Sequence, residues 1–216
     1  GCNDRVQALN EAGADLNKKD NNEKTPLMSA SEQGCAEAIR LLLDNGVDAS
    51  TLGFTPLHIA MIKGDLATMA VILKQHPEMK DVSDAASRSP LHFGVWLKNT
   101  EAIKMLLDAK ADLNKQNEAG ETPLMIAIPT EQDEVMRLLC EAGADLTLKD
   151  NRGSTPLLLA VAYQHEEQVK ILIKAGVDLN QQDSEGMTSL HRLSSDEQIG
   201  LMRVLLEAKA NPNKQD

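Results

Sequence analysis

Residues 122–145 read TPLMIAIPTEQDEVMRLLCEAGAD, and this stretch contains the start and stop signals of two helices. Thr122 offers a hydroxyl to the backbone N–H groups left free at a helix start, and Pro123 follows in the first turn, where no N–H is needed. After a polar break, DEVMRLLCE sets Val135, Met136, Leu138 and Leu139 on one side of a second helix. Gly143 then supplies the left-handed residue with which many helices end.

The pattern recurs along the chain. TPLM begins at Thr25, TPLH at Thr55, SPLH at Ser89, TPLM at Thr122, TPLL at Thr155 and TSLH at Thr188, giving spacings of 30, 34, 33, 33 and 33 residues. Each start is followed by an apolar helix such as EAIRLLLDNGVDA, EAIKMLLDAKADLN or QVKILIKAGVDLN. One period therefore holds two helices and a polar connection, and a connection such as KDNRGS before Thr155 has the composition of a turn. A single pair of this kind cannot bury its own apolar side, so stability is expected to be shared between neighbours.

The bulk composition agrees. With 216 residues and 42% apolar content the chain can build a real core, yet only 2% of it is aromatic. Stacked thin helices can be packed with Leu, Ile, Val, Ala and Met, whereas a compact single core of this length uses more rings. A formal charge of −11 argues against nucleic acid, whose phosphates draw on clustered Lys and Arg, and it suits a basic partner better. No run approaches the ~20 apolar residues of a membrane-spanning helix. Cys2, Cys35 and Cys140 are too few and too scattered for a disulfide framework.

The TPLH-like start, the Leu-rich second helix, the G-[AV]-D-[LV]-N exit and the 33-residue period together resemble the ankyrin repeat family, over essentially the whole chain. The resemblance implies an all-α solenoid of stacked helix-turn-helix pairs with projecting hairpin fingers and a concave face. The repeats are expected at 21–50, 51–84, 85–117, 118–150 and 151–183 in one domain, with a partial repeat at 1–20 and a C-terminal capping repeat at 184–216. Two fingers depart from the pattern. DNGVDASTLGF, before Thr55, is about three residues short, and KQHPEMKDVSDAASR, before Ser89, lacks the helix-ending Gly. Altered register is expected there. Ser189 replaces Pro in the last repeat, and Arg192, Ser194 and Ser195 give it a polar character suited to a cap.

Chemistry is poorly provided for. His58, His92 and His191 occupy the fourth position of the TPLH-like motif, where the family uses the imidazole to bond backbone between neighbouring fingers. Histidines one repeat apart sit roughly 10 Å from each other, and zinc ligands must converge to about 2 Å from one ion. No CxxC, HExxH, GxSxG, Walker-type or GxGxxG sequence occurs. No catalytic residue, metal or cofactor is expected.

In the family a ligand is met by finger residues just before the Thr and by residues near the end of the first helix. Carried onto this chain, those positions give Leu52, Phe54, Ile62, Lys63, Arg88, Trp96, Leu97, Glu121, Arg152, Tyr163 and Met187 as partner-binding residues. Phe54, Trp96 and Tyr163 are expected to face the groove, and Phe93 to lie in the core. Exposed Trp and Tyr dominate interface energetics. The expected function is non-enzymatic protein binding by a chain that is monomeric when free. The partner would be a protein, with an enzyme and a basic surface as the finer expectations. Blocking or sequestering that partner is the favoured use, a scaffold or targeting segment of a longer protein the alternative, and an enzyme or metal-dependent protein the remote alternative.

Gly1-Cys2 could mark a processed lipoprotein start, which would place the chain in the periplasm or outside the cell. GCNDRVQALNEAGADLN also aligns in phase with GCAEAIRLLLDNGVDAS at Gly34, which places Gly1-Cys2 in an inter-helix turn. The in-phase reading leaves the cytoplasm as the default compartment, with Cys2 and Cys35 roughly 10 Å apart and unbridged.

Overall fold

The computed structural model describes residues 14–33, 35–193 and 198–212. The alignment of Gly1-Cys2 and the polar residues Ser194 and Ser195 therefore lie outside the described residues. The described residues contain eleven α-helices and no strand. The chain divides into two compact units, 1–109 and 110–216.

The first unit holds three helix pairs: α1 (Pro26–Glu32) with α2 (Ala36–Asp44), α3 (Pro56–Lys63) with α4 (Leu66–Gln75), and α5 (Pro90–Trp96) with α6 (Thr100–Asp108). Neighbouring pairs pack through α2 on α3, α3 on α5 and α4 on α6. The second unit holds α7 (Pro123–Ala127) with α8 (Asp133–Glu141), then α9 (Pro156–Ala162) with α10 (Glu166–Lys174), and last α11 (Ile199–Glu207) against α10.

The helix starts follow the expected chemistry. Thr25, Thr55, Thr122 and Thr155 each stand in an extended conformation and accept the N–H three residues on, with Pro in the first turn. Asp65 and Asn99 also accept the N–H three residues on, for α4 and α6, without a following proline. Three of the exits follow the expected chemistry too: Gly46, Gly143 and Gly176 take φ of 76°, 92° and 85° just after the second helix of their pairs. α7 is the shortest α-helix among the described residues, because Pro129 cannot continue it.

Each regular finger is a tight turn held by one side chain. Asp20, Asp84, Asn117, Asp150 and Asp183 accept, through Oδ1, the N–H groups two and four residues on, at 2.7–3.0 Å. The backbone closes the same loop, as in Asp150 N to Ser154 O at 3.0 Å. Fingers then bond one another: Ala85 N donates to Leu52 O at 2.9 Å, and Asn151 N to Ala119 O at 3.0 Å.

The two irregular connections are resolved differently. The short one folds as a 3-10 turn, Ser50–Leu52, with Gly53 left-handed. The long one has no glycine exit; α4 stops at Gln75, and Pro77–Asp81 forms a 3-10 turn packed on α4 and α5. In the last repeat the described residues 188–193 form turns instead of a first helix. Ser189 uses its hydroxyl to reach Leu179 O at 3.2 Å, and Arg192 pairs with Asp183 and Glu185.

The core is aliphatic, as the composition suggests. Leu27, Ile39, Leu42, Leu57, Met69, Leu91, Ile103 and Leu106 are fully buried in the first unit, and Met136, Leu139, Leu172 and Leu205 in the second. Phe93 is buried as expected, at 0% exposure.

Candidate partner-binding site

The first unit gathers its expected site residues into two neighbourhoods. Ile62, Lys63 and Leu97 share a cavity of about 210 Å³ with Ala36, Arg40 and Asn99. Ile62 is only 5% exposed, so it forms the floor of this cavity and is not a free contact. Lys63 is exposed and pairs with Asp44 at 3.0 Å.

The second neighbourhood is a stack of rings. Phe93 receives Phe54 edge-on at 5.4 Å, Trp96 edge-on at 5.4 Å and His58 at 4.8 Å. Over the same ring, at 4.9 Å, lies the guanidinium of Arg88, which is also 5.7 Å from the Trp96 ring. Phe54 was expected in the groove; at 9% exposure it belongs to the interior. The reason is the short finger, which ends with Gly53 left-handed and leaves Phe54 against His58 and Phe93. Trp96, Leu97 and Leu52 are half-buried and keep part of their surface in solvent.

Charges in this neighbourhood are settled internally. Arg88 Nε and Nη2 donate to Asp84 Oδ2 at 2.8 and 2.6 Å, and Nη2 also reaches Ser31 Oγ at 2.6 Å. The Asp84 side chain is wholly buried and takes four donors, which is what a carboxylate removed from water requires. Burial pushes the His58 imidazole down to about 4, although the Asp84 charge and a bond to the Arg88 carbonyl oppose the shift. Its neutral ring accepts at Nδ1 from Thr55 N at 3.2 Å, so Nε2 carries the proton and donates to Arg88 O at 3.3 Å. That is the finger-to-finger bond the resemblance implied. His92 and His191 make the same Nδ1 contact to their own Ser89 and Thr188.

In the second unit the expected residues are less enclosed. Tyr163, at the end of α9, is 50% exposed and stacks on His165 with centroids 5.7 Å apart. Arg152 is an exposed finger residue whose carbonyl accepts from Ser184 Oγ at 3.1 Å. Glu121 is half-buried and bonded by Asn117 Nδ2 at 2.9 Å, and Met187 is half-buried in its finger turn. The Asp183 carboxyl lies below its ordinary range. Desolvation is the largest influence and raises it, and the bonds from Arg192, Met187 and Glu185 outweigh that effect.

The Cys140 thiol is not activated. Burial, with Glu141 nearby, pushes the Cys140 thiol up to about 11, so it is held as the thiol. Among the described residues no group of three or more His, Cys, Asp or Glu is placed to hold a metal, and no helix is long and apolar enough to cross a membrane.

Sequence reasoning missed Asp84 and Ser31, which decide where Arg88 lies. A signal for Asp84 was present: Asp84, Asn117, Asp150 and Asp183 recur every 33 residues. Ser31 carries no such mark.

Comparison with known proteins agrees with the repeat pattern. A family model described as ankyrin repeats (3 copies) matches residues 1–83 and 146–216, and one described as ankyrin repeats (many copies) matches 99–160. Inversin of Canis lupus familiaris is 30% identical over 122 residues, 55% of this chain and 11% of that protein. Putative ankyrin repeat protein FPV031 of fowlpox virus is 34% identical over 123 residues, 36% of its length. Among solved structures, the ankyrin repeat domain of Bcl-3, described as a unique member of the IkappaB protein family, gives a TM-score of 0.72 at 27% identity. The match covers 89% of this chain and 90% of that one. The chain thus spans about a tenth of the inversin and little more than a third of the viral relative.

Proposed function

This chain belongs to the ankyrin repeat family, and from that premise we propose that it is a non-enzymatic binding module that blocks or sequesters a protein partner, such as an enzyme. Ankyrin repeats mediate protein–protein interactions, and the fold dictates no particular partner, so the argument rests on the surface residues. The observation that carries the proposal is the placing of two aromatics at the ends of first helices: Trp96 closes α5 half-buried, and Tyr163 closes α9 half-exposed. Aromatic side chains with one side supported and the other in solvent are the usual anchors of an interface. The acidic balance of −11 favours a basic partner surface.

A second reading has its own support. The relatives are much longer than the matched region, which suits a scaffold or targeting segment that recruits a partner without blocking it.

The experiment is affinity capture, identification of the retained protein, and titration of the purified pair. Tyr163→Ala should weaken binding by about 2 kcal/mol, and saturating amounts of the chain should suppress the partner's activity. Unchanged affinity in Tyr163→Ala and Trp96→Ala would sink the site. Tight binding with full partner activity would favour the scaffold reading.

A further inference from the structure

Arg88 stands among the expected contact residues, and its surroundings argue for another role. Its Nε and Nη2 are given to Asp84 at 2.8 and 2.6 Å, Nη2 is shared with Ser31 Oγ at 2.6 Å, and Nη1 reaches Ser31 O at 3.4 Å. All three guanidinium nitrogens are engaged, and the side chain is 18% exposed. The planar group covers the Phe93 ring at 4.9 Å and the Trp96 ring at 5.7 Å. One side chain is thus bonded to its own finger and to α1, and laid against two rings of α5. Other cations near the expected site residues of this unit are answered as well, Lys24 by Glu32 at 2.6 Å, Lys63 by Asp44 at 3.0 Å and Arg40 by Glu37.

We infer that Arg88 is a positioning residue that fixes the Trp96 ring, and that the surface so held takes an uncharged, apolar side chain of the partner. The first part follows from geometry. An indole packed edge-on against Phe93 and flanked by a doubly anchored guanidinium loses rotamer freedom before any partner arrives, so less entropy is lost on binding. The second follows from charge. A guanidinium that Asp84 already neutralises has little left to attract a partner's carboxylate, while Trp96 and Leu97 keep half-buried apolar surface in solvent. This inference rests on Trp96 being a binding residue, as proposed above.

Trp96 is the only tryptophan in the chain, so its fluorescence reads the site without any partner. With far-UV circular dichroism confirming a folded chain, Arg88→Ala should shift the emission to the red and raise acrylamide quenching about two-fold, as expected for a ring released from its cation. Arg88→Lys keeps the charge but lacks the planar fork, and should behave like the alanine variant. Wild-type emission and quenching in a folded Arg88→Lys chain would overturn the positioning role, and this milder variant serves if Arg88→Ala does not fold. Charged quenchers test the second part. Normalised to N-acetyltryptophanamide at fixed ionic strength, iodide should quench wild-type Trp96 no better than caesium, and Asp84→Asn should raise iodide quenching by releasing the guanidinium. Stronger iodide than caesium quenching in the wild type would reveal an open cation and overturn the apolar assignment. These readings do not need the partner; if Trp96→Ala leaves partner binding intact, the binding proposal fails while the fluorescence outcome stands.

Discussion

His58 donates its Nε2–H to the backbone carbonyl of Arg88 at 3.3 Å, thirty positions further along the chain. The bond joins α3 to the finger that carries Arg88, and the bond that Nδ1 of the same ring accepts from Thr55 N needs a neutral ring. Burial supplies that condition by holding the imidazole down to about 4.

A pH dependence follows, with its sign. Above the ordinary value of 6.5, folded and unfolded His58 are both neutral and the group adds no slope. Between 6.5 and about 4 only the unfolded chain takes the proton, so stability falls as the pH is lowered across that window. The loss amounts to at most about 3 kcal/mol. Urea melts at intervals from pH 7 to pH 4 should show the decline, and His58→Gln should flatten it. An equal slope in the variant would assign the effect elsewhere. Asp183 acts in a lower window: its carboxyl is depressed, so its contribution is present above the unfolded value of 3.8 and is lost below it.

Lys110 and Lys209 stand where other repeats place glycine after the second helix, with φ of 59° and 71° beside 92° at Gly143 and 85° at Gly176. A side chain in the left-handed region costs about 1 kcal/mol. Lys110→Gly and Lys209→Gly should therefore each raise stability by about 0.5–1 kcal/mol, read as a higher urea midpoint.

Two finger and exit glycines separate conformation from contact. A Cβ at Gly143 would meet nothing within 4 Å, whereas one at Gly153 would lie 2.7 Å from Ser184 N and 2.8 Å from Ser184 Cβ. Gly143→Ala should cost about 1 kcal/mol, the conformational penalty alone. Gly153→Ala should cost more, since the neighbouring finger must move. Equal urea midpoints for the two variants would contradict this.

Three aromatic truncations should be ranked by packing. Phe93→Ala empties the centre of the ring stack and should cost about 3–5 kcal/mol. Trp96→Ala removes an edge-on contact to Phe93 from a half-buried position and should cost about 1–2 kcal/mol. Tyr163→Ala, half-exposed, should stay within about 0.5 kcal/mol. Denaturant melts of the three variants check the order, and Tyr163→Ala is accordingly the cleaner probe of partner binding.

The repeat, the helix pairs and their ends were legible in the chain because their causes are local. Thr25, Thr55, Thr122 and Thr155 cap helices within three residues of themselves, and Gly143 and Gly176 end them on the spot. Apolar residues at helical spacing declare the buried side in the same short range. The aliphatic core with Phe93 inside it was readable for that reason.

The site was less legible, because its causes are distant. Phe54 occupies a position that faces outward by repeat register, yet a finger three residues short ends with it at 9% exposure against His58 and Phe93. The bond from Arg88 to Ser31 joins residues 57 apart. No local pattern says which hydroxyl a guanidinium will find at that separation, since the answer depends on how successive pairs stack. Periodicity therefore placed the candidates along the chain, and packing between repeats separated Trp96 and Tyr163, which keep surface in solvent, from Phe54 and Ile62, which do not.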